Sequence, residues 1–429
     1  MLYNWLEAQR ALVRSMDAWA ASVGQACGLP AAPAAPLAIP GCDWLRRLFH
    51  APFAPPFAIG SVALDGRQVP IEETVVDRTA FCALRRFARG GSRAPRATKA
   101  AKVSRAVQRA REDRACKPIL LCAPLAGHHA VMLRETVETL LEDADVYVTD
   151  WADARDVPLA EGQFGLDDYV LTIERFLRRL CGDGVHVLAV CQGTVPSVAA
   201  AARVAERGEP TPISVALMGG PIDTRLNPTA VDRLAATHSI DWFRSTMIDS
   251  VPAAYRGAGR RVYPGYIQHA AIVATHPHRQ MALELRYWTS RLGGDDIDIA
   301  ASQRALNEYA AVLDMSEAYF LETLRVIFQE QRLARGIWEI DGRRVFGGAL
   351  TSTALCTIEG ERDDITGAGQ THAAHAVCSA LPDALRMRLT VPDCDHYDLF
   401  TGPRWRETIH PALAAFWRRT SERQKAALG

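Results

Sequence analysis

The chain has 429 residues, and its 49 basic and 49 acidic side chains give a formal net charge of zero, so there is no global case for nucleic-acid binding. Apolar residues make up 48% of the chain, which is enough to bury a large core. The ten cysteines are scattered and contain no CxxC pair, which indicates reduced thiols and argues against a disulfide scaffold or a structural zinc site.

The N-terminal region begins with apolar residues at near-helical spacing, which predicts an amphipathic helix over residues 1–26. It has no basic segment followed by an apolar core, and the chain has no apolar run of eighteen residues. We therefore expect neither a secretory signal nor a transmembrane helix, and we expect a cytoplasmic protein. The Pro- and Ala-rich residues 28–59 predict an extended connection, and the alternation over 60–83 suggests strands.

Residues 85–117 are strongly basic, with twelve Lys or Arg against two acidic residues. The simpler interpretation is a solvated loop or an exposed helix. The alternative is a docking patch for an anionic surface, such as a lipid-coated granule or DNA. We assign residues 1–117 to an N-terminal extension that contains this basic segment.

The pattern becomes α/β from residue 118, because short apolar runs then alternate with helical segments. Buried runs of this kind predict a mostly parallel sheet, and together with the strand–turn–helix context of Cys191 they make an α/β-hydrolase fold the expected class. Residues 221–345 lack the alternation and are rich in aromatics, which predicts a helical lid inserted between core strands, over the carboxyl edge of the sheet. The core is then 118–220 and 346–429, and the predicted strands are 118–123, 146–149, 185–190, 213–218, 353–358 and 385–391.

The strongest local signal is Cys191, which follows the buried run 185–190 and precedes a helix of small residues. This context is typical of the nucleophile elbow of hydrolases, with cysteine in the place of serine. A helix N-terminus favours the thiolate, and the backbone N–H of Gln192 would donate to an oxyanion. A second donor is expected from Leu125 or Ala126, in the loop after 118–123. The alternative is that Cys191 is an inert buried thiol.

The acid and the base should follow later in the chain, in the order nucleophile, acid, histidine. Asp363 follows the run 353–358 and is the first choice for the acid, with its neighbour Asp364 in reserve because periodicity cannot separate them. His396 follows the last run and is placed to act as the general base. No metal-ligand constellation, P-loop or dinucleotide fingerprint is found, so no metal or cofactor is expected.

Several further motifs occur in order along the chain. Through these motifs the chain resembles the intracellular polyhydroxyalkanoate (polyhydroxybutyrate) depolymerases over 1–83 and 118–418. The resemblance implies a Cys–Asp–His triad at Cys191, Asp363 (or Asp364) and His396. It also implies hydrolysis of amorphous storage polyester, with the granule surface as partner. The motifs lie at 147–159, 191–196, 218–225, 262–265, 312–315, 326–330, 358–371 and 394–397.

The chain departs from the family pattern near the nucleophile and the base. Gly193 stands where the family usually has proline, and a glycine at this position is similar to the related polyester synthases. Asp395 and Asp398 flank His396, where glycine is more usual. Two alternatives therefore stay open: a synthase-like acyltransferase and a catalytically weak granule-binding protein. The sequence does not determine monomer chain length or whether a homo-oligomer forms.

Overall fold

The computed structural model describes residues 3–12, 15, 22, 54–64, 66–90, 117–275 and 277–428. The strands of this part are β1 Ser61–Leu64, β2 Arg67–Arg78, β3 Cys82–Arg89, β4 Ile119–Cys122, β5 Val146–Trp151, β6 His186–Val190, β7 Ser214–Met218, β8 Asp249–Ser250, β9 Arg261–Tyr263, β10 Met315–Ser316, β11 Glu339–Ile340, β12 Arg343–Arg344, β13 Ala354–Gly360 and β14 Arg386–Val391.

The helices of the same part begin with α1, residues 3–12. They continue as α2 Arg134–Leu140, α3 Leu166–Leu180, α4 Thr194–Glu206, α5 Ala230–Thr237, α6 Ile240–Met247, α7 Gly265–Thr275, α8 Pro277–Gly293, α9 Asp296–Ala310, α10 Glu317–Thr323, α11 Ala374–Val377, α12 Gly402–Arg404 and α13 His410–Leu428. No helix in the described ranges is long and apolar enough to cross a membrane.

A nine-stranded sheet organises the molecule, with the strand order β1-β2-β3-β5-β4-β6-β7-β13-β14. The first three strands are antiparallel, and the six from β5 to β14 run parallel to one another. Every residue of β4, β6, β7 and β13 is buried, as is usual for parallel strands covered on both faces. This is the predicted α/β-hydrolase fold, and each of the six predicted runs overlaps a strand.

The position of β4 creates the crevice in which a site is expected. β4 pairs with β5 on one side and with β6 on the other. The strand order therefore reverses at β4, since the next strands in the chain are added on opposite sides of it. In open parallel sheets such a reversal leaves a cleft outside the carboxyl ends of the two flanking strands. The loop after β4 carries Leu125 and Ala126, and the turn after β6 carries Cys191.

The sheet extends into the segment that was predicted to be an N-terminal extension, since β1, β2 and β3 continue it beyond β5. The start of the basic segment is part of β3, and not a loop or an exposed helix. Arg85 pairs with Asp150 at 2.6 Å, and Arg86 pairs with Asp145 at 2.7 Å. These cations therefore neutralise carboxylates at the two ends of β5. Gly90 and Lys117 are also described. The rest of the basic segment, residues 91–116, lies outside the described residues.

A large insertion separates β7 from β13, although the two strands are neighbours in the sheet. It comprises residues 219–353 and holds α5 to α10, in the region where a helical lid was predicted over 221–345. It also contains two features that the prediction omitted, a three-stranded sheet formed by β8, β9 and β10 and a short hairpin formed by β11 and β12.

The N-terminal helix α1 docks against this insertion. The Tyr3 hydroxyl donates to Asp314 at 2.6 Å, and the Tyr255 hydroxyl donates to Glu7 at 2.8 Å. Burial is the main reason that the pKa of Asp314 lies above its ordinary value. The helix predicted over 1–26 is thus present over 3–12, while most of its later residues and residues 28–53 lie outside the described part.

A buried ion cluster joins α3 to α4 behind the sheet. Arg203 and Glu174, each with a side chain 1% exposed, form its centre, and the Arg203 guanidinium also donates to the carbonyl of Ile340 at 2.7 Å. We expect Arg203→Met to lower the free energy of unfolding by about 3 kcal/mol, because it removes the main partner of a buried carboxylate. Arg178→Met, at an exposed partner of the same Glu174, should cost under about 1 kcal/mol in urea unfolding.

Candidate active site

The turn after β6 holds Cys191 in a strained backbone conformation. Its φ is +51°, in the left-handed region that costs a non-glycine residue about 1–3 kcal/mol. The Thr194 hydroxyl donates to the Cys191 carbonyl at 2.8 Å and fixes the start of α4. A Cβ atom on Gly193 would lie 2.9 Å from the Cys122 carbonyl oxygen, which explains why a residue without a side chain stands there. The predicted elbow geometry is therefore present.

The strain at the elbow gives a stability prediction that is independent of activity. Cys191→Gly should be about 1 kcal/mol more stable than Cys191→Ala, because only glycine adopts the left-handed region without a Cβ penalty. Urea unfolding of the two variants measures this difference. Equal stability, or a more stable alanine variant, would show that the surroundings do not hold this φ under strain.

His396 lies between a carboxylate and the Cys191 thiol. Its Nδ1 atom is 2.8 Å from Oδ2 of Asp363, and these two side chains are only 5% and 2% exposed. The Cys191 side chain lies on the same cavity as the imidazole, and its charge and hydrogen-bonding capacity help to raise the His396 pKa. The other carboxyl oxygen of Asp363 accepts the backbone N–H groups of Ile365 and Thr366 at 3.0 and 2.8 Å, which fixes the acid in its loop.

The structure thus brings Asp363, and not the reserve candidate Asp364, into contact with His396. Asp364 is exposed on the same loop. Burial by itself lowers the pKa of His396, but the charges of Asp363 and Cys191 and their hydrogen bonds outweigh it. The net result is a His396 pKa well above the ordinary value, so the imidazolium form is favoured beside these two partners.

Gly219, directly after β7, supports the histidine and was not identified from the sequence. Its φ is +59°, and a Cβ atom there would lie 2.8 Å from Leu399 and 3.1 Å from Cε1 of His396. A side chain at this position would therefore displace the imidazole. The only sequence signal was the pair of glycines at the end of a buried run.

The predicted oxyanion donors lie on both sides of the crevice. Ala126 and Gln192 line the cavity that contains Cys191, whereas Leu125 is buried beside it. The amides of Leu125 and Ala126 donate no backbone hydrogen bond to another described residue. The N–H of Gln192 belongs to the first turn after the elbow, where helical amides have no acceptor within the helix. Amides from both loops are therefore available near the thiol.

A cavity of about 320 Å³ opens over Cys191 and His396. Its walls are mainly apolar, and more than half of the lining residues come from the insertion. Such a space suits an apolar chain that must reach a few polar groups. The aromatic lining residues of the insertion are Phe243, Tyr263, Tyr319, Phe320 and Phe328.

Cys191 differs from the other cysteines of the described part, because it is partly accessible and they are buried. Burial raises the pKa of Cys122 and Cys394 to about 12, and it has the same effect at Cys181, Cys356 and Cys378. These thiols stay protonated at neutral pH and are poor nucleophiles. Within the described residues, no group of three His, Cys, Asp or Glu side chains is placed to hold a metal ion.

A family model described as the PHB de-polymerase C-terminus matches residues 219–421, which include the insertion, Asp363 and His396. Over this range the chain matches the PHB depolymerase family. The sheet topology is that of an α/β-hydrolase, and the match indicates an ester hydrolase. No curated protein sequence matches this chain.

Solved structures similar to this chain include two lipases. One is the monoacylglycerol lipase of Paleococcus ferrophilus, with a TM-score of 0.43 and 13% identity over 71% of this chain and 96% of that chain. Another is a soluble variant of monoglyceride lipase from Saccharomyces cerevisiae in complex with a substrate analog, with a TM-score of 0.47 and 10% identity over 86% of this chain and 99% of that chain.

Proposed function

We propose that this protein hydrolyses ester bonds of amorphous poly(3-hydroxyalkanoate), specifically polyhydroxybutyrate, through a Cys191–His396–Asp363 triad. The observation that carries the proposal is the placement of His396 between the Asp363 carboxylate and the Cys191 thiol, at the base of an apolar cavity. The match to the depolymerase family supports the choice of substrate.

The first half of the reaction is acyl transfer to Cys191. His396 has already taken the thiol proton and holds it as the imidazolium, Sγ attacks the ester carbonyl carbon, and amides of the two loops stabilise the oxyanion. As the ester C–O bond breaks, the His396 imidazolium gives its proton to the departing alkoxide. Asp363 holds the ring orientation and stabilises the imidazolium throughout.

The second half releases the acyl group to water. Neutral His396 removes a proton from a water molecule, whose oxygen attacks the thioester carbonyl. The C–S bond then breaks, Cys191 leaves as the thiolate, and the proton stays on the imidazolium. The products are a hydroxyl-terminated fragment and a carboxylic acid, and the enzyme returns to its starting state.

We further propose that the protein works in the cytoplasm at the surface of the storage granule. Met281, Leu285 and Leu292 share one face of α8 and are 68%, 66% and 88% exposed. Large apolar side chains in an exposed row are typical of surfaces that contact apolar partners. This row favours an enzyme that meets a water-insoluble polymer, and the basic residues 91–116 could contribute to the same contact.

The test is acid release from amorphous 3-hydroxybutyrate polymer granules by the purified protein, with Cys191→Ala in parallel. We expect release by the parent and none by the variant, while both sediment with the granules. Met281→Glu combined with Leu285→Glu should reduce sedimentation but keep cleavage of a soluble oligomer.

The same assay separates the two alternatives. Binding to granules without acid release by the parent would contradict the hydrolase proposal and favour a granule-binding protein. Polymer formation from 3-hydroxybutyryl-coenzyme A as the sole substrate would favour an acyltransferase.

A further inference from the structure

Arg279, the third residue of α8, lies against the loop that carries His396. Its guanidinium carbon is 4.2 Å from the centroid of the Tyr397 ring, and its Nη2 donates to the Thr401 hydroxyl at 3.4 Å. Tyr397 follows His396 directly and lines the cavity. A half-buried cation from the insertion therefore sits one side chain away from the proposed general base.

This cation has no carboxylate in ion-pair contact among the described residues, and its Nε atom is buried without an acceptor. The Arg279 charge acts on Asp398, where burial is the main cause of a raised pKa and the cation offsets part of that increase. A buried donor without an acceptor carries a desolvation cost, so an acceptor supplied by a ligand would be favoured there. Arginine binds carboxylates well because its planar guanidinium donates two parallel hydrogen bonds.

The neighbouring groups make this end of the cavity polar. The ring of Tyr309 lies 6.0 Å from that of Tyr397 and 5.5 Å from that of His128. His128 lines the cavity, and its Nε2 atom is buried without a partner. The cavity is thus lined by His128 and Tyr397, and these two side chains contact Tyr309 and Arg279 respectively.

We propose that Arg279 binds the free carboxylate at the end of a 3-hydroxyacid chain, so that the enzyme removes short units from the carboxyl terminus. The inference rests on the proposed ester hydrolysis. The leaving alcohol of each cleavage is the 3-hydroxyl of the terminal segment. The ester C–O bond breaks, this oxygen takes the proton from His396, and the segment leaves as a hydroxycarboxylate whose charge pairs with Arg279.

The spacing sets the length of the segment. The ring of Tyr397 is centred 5.9 Å from that of His396, and the guanidinium carbon of Arg279 is 4.2 Å from the same Tyr397 centroid, which places Arg279 no more than about 10 Å from the His396 ring. A hydroxybutyryl unit has four chain atoms and spans about 5 Å, compared with ~3.5 Å for the three-atom peptide unit. One or two units therefore reach from the cleaved ester to the guanidinium, and the released products are monomers and dimers.

The test compares the linear trimer of 3-hydroxybutyrate with its methyl ester, which differ in the terminal charge. We expect the parent to show a kcat/KM at least about tenfold higher on the free acid. Arg279→Met should abolish that preference by lowering kcat/KM on the free acid alone, and Arg279→Lys should restore part of it. Arg286→Met, at an exposed arginine of the same helix, is the matched control and should keep the parental preference.

Two results would overturn this inference. One is a parent enzyme that cleaves both trimers equally. The other is an Arg279→Met variant that loses the same factor on both, which would make Arg279 a packing residue of the histidine loop. Cleavage of neither trimer by the parent would instead contradict the proposed function itself.

Discussion

Replacement of Cys191 by alanine should reduce ester hydrolysis by at least about 10⁴-fold, because the acyl-enzyme cannot form. The residual rate would come from the oxyanion donors and from substrate binding in the cavity. The measurement is the rate of cleavage of soluble 3-hydroxybutyrate trimer under single-turnover conditions. Mass spectrometry of the parent should show an acyl group on the peptide that contains Cys191, and the variant should show none.

The matched control is Cys181→Ser, at a buried cysteine beyond the end of α3 and away from the cavity. It should keep near-parental kcat. Far-UV circular dichroism and thermal unfolding verify that Cys191→Ala is folded. A folded Cys191→Ala protein with parental activity would exclude the acyl-cysteine intermediate.

Replacement of Asp363 by asparagine should reduce kcat/KM by about 10³–10⁴-fold, with little change in stability. The amide oxygen can still accept the N–H groups of Ile365 and Thr366, so the loop keeps its conformation. The variant loses the charge that raises the pKa of His396. That pKa should fall, and the loss of activity at high pH should then begin at a lower pH than in the parent.

Asp364→Asn is the control for this change, because its side chain is exposed on the same loop. It should retain activity within about threefold of the parent, since surface substitutions away from buried networks have small effects. An NMR titration of the His396 imidazole follows the pKa directly. An unchanged His396 pKa in Asp363→Asn would contradict the electrostatic role of the acid, and a larger defect in Asp364→Asn would reverse the assignment.

The sheet could be predicted because its parallel strands are covered on both faces and so appear as continuous apolar runs. The elbow could also be predicted, since Cys191 follows such a run and the helix after it has small residues. β3 was only partly recognised, because Arg85 and Arg86 are neutralised by carboxylates some sixty residues away. Local composition cannot reveal a partner so distant in the chain.

Asp363 and Asp364 could be distinguished only by their positions in the three-dimensional structure. The two carboxylates are adjacent in sequence, yet one is buried against His396 and the other is exposed. Arg279 was not identified, because an arginine near the start of a helix is unremarkable until its neighbours are known. Side chains from the insertion meet the core only through tertiary contacts, so their roles could not be read from spacing.

The insertion leaves the sheet after β7 and returns at β13, its immediate neighbour. Because the two strands run parallel, the insertion leaves at the carboxyl edge of the sheet and returns at its amino edge, and both ends are fixed by paired strands. Cys191, Asp363 and His396 are carried by turns that follow β6, β13 and β14. A stretch of chain anchored in this way can be lengthened, shortened or exchanged without shifting the register of the strands beneath it. Evolution can thus alter which chains enter the cavity while the chemistry stays constant, and a laboratory graft of this stretch between homologues has a natural pair of junctions.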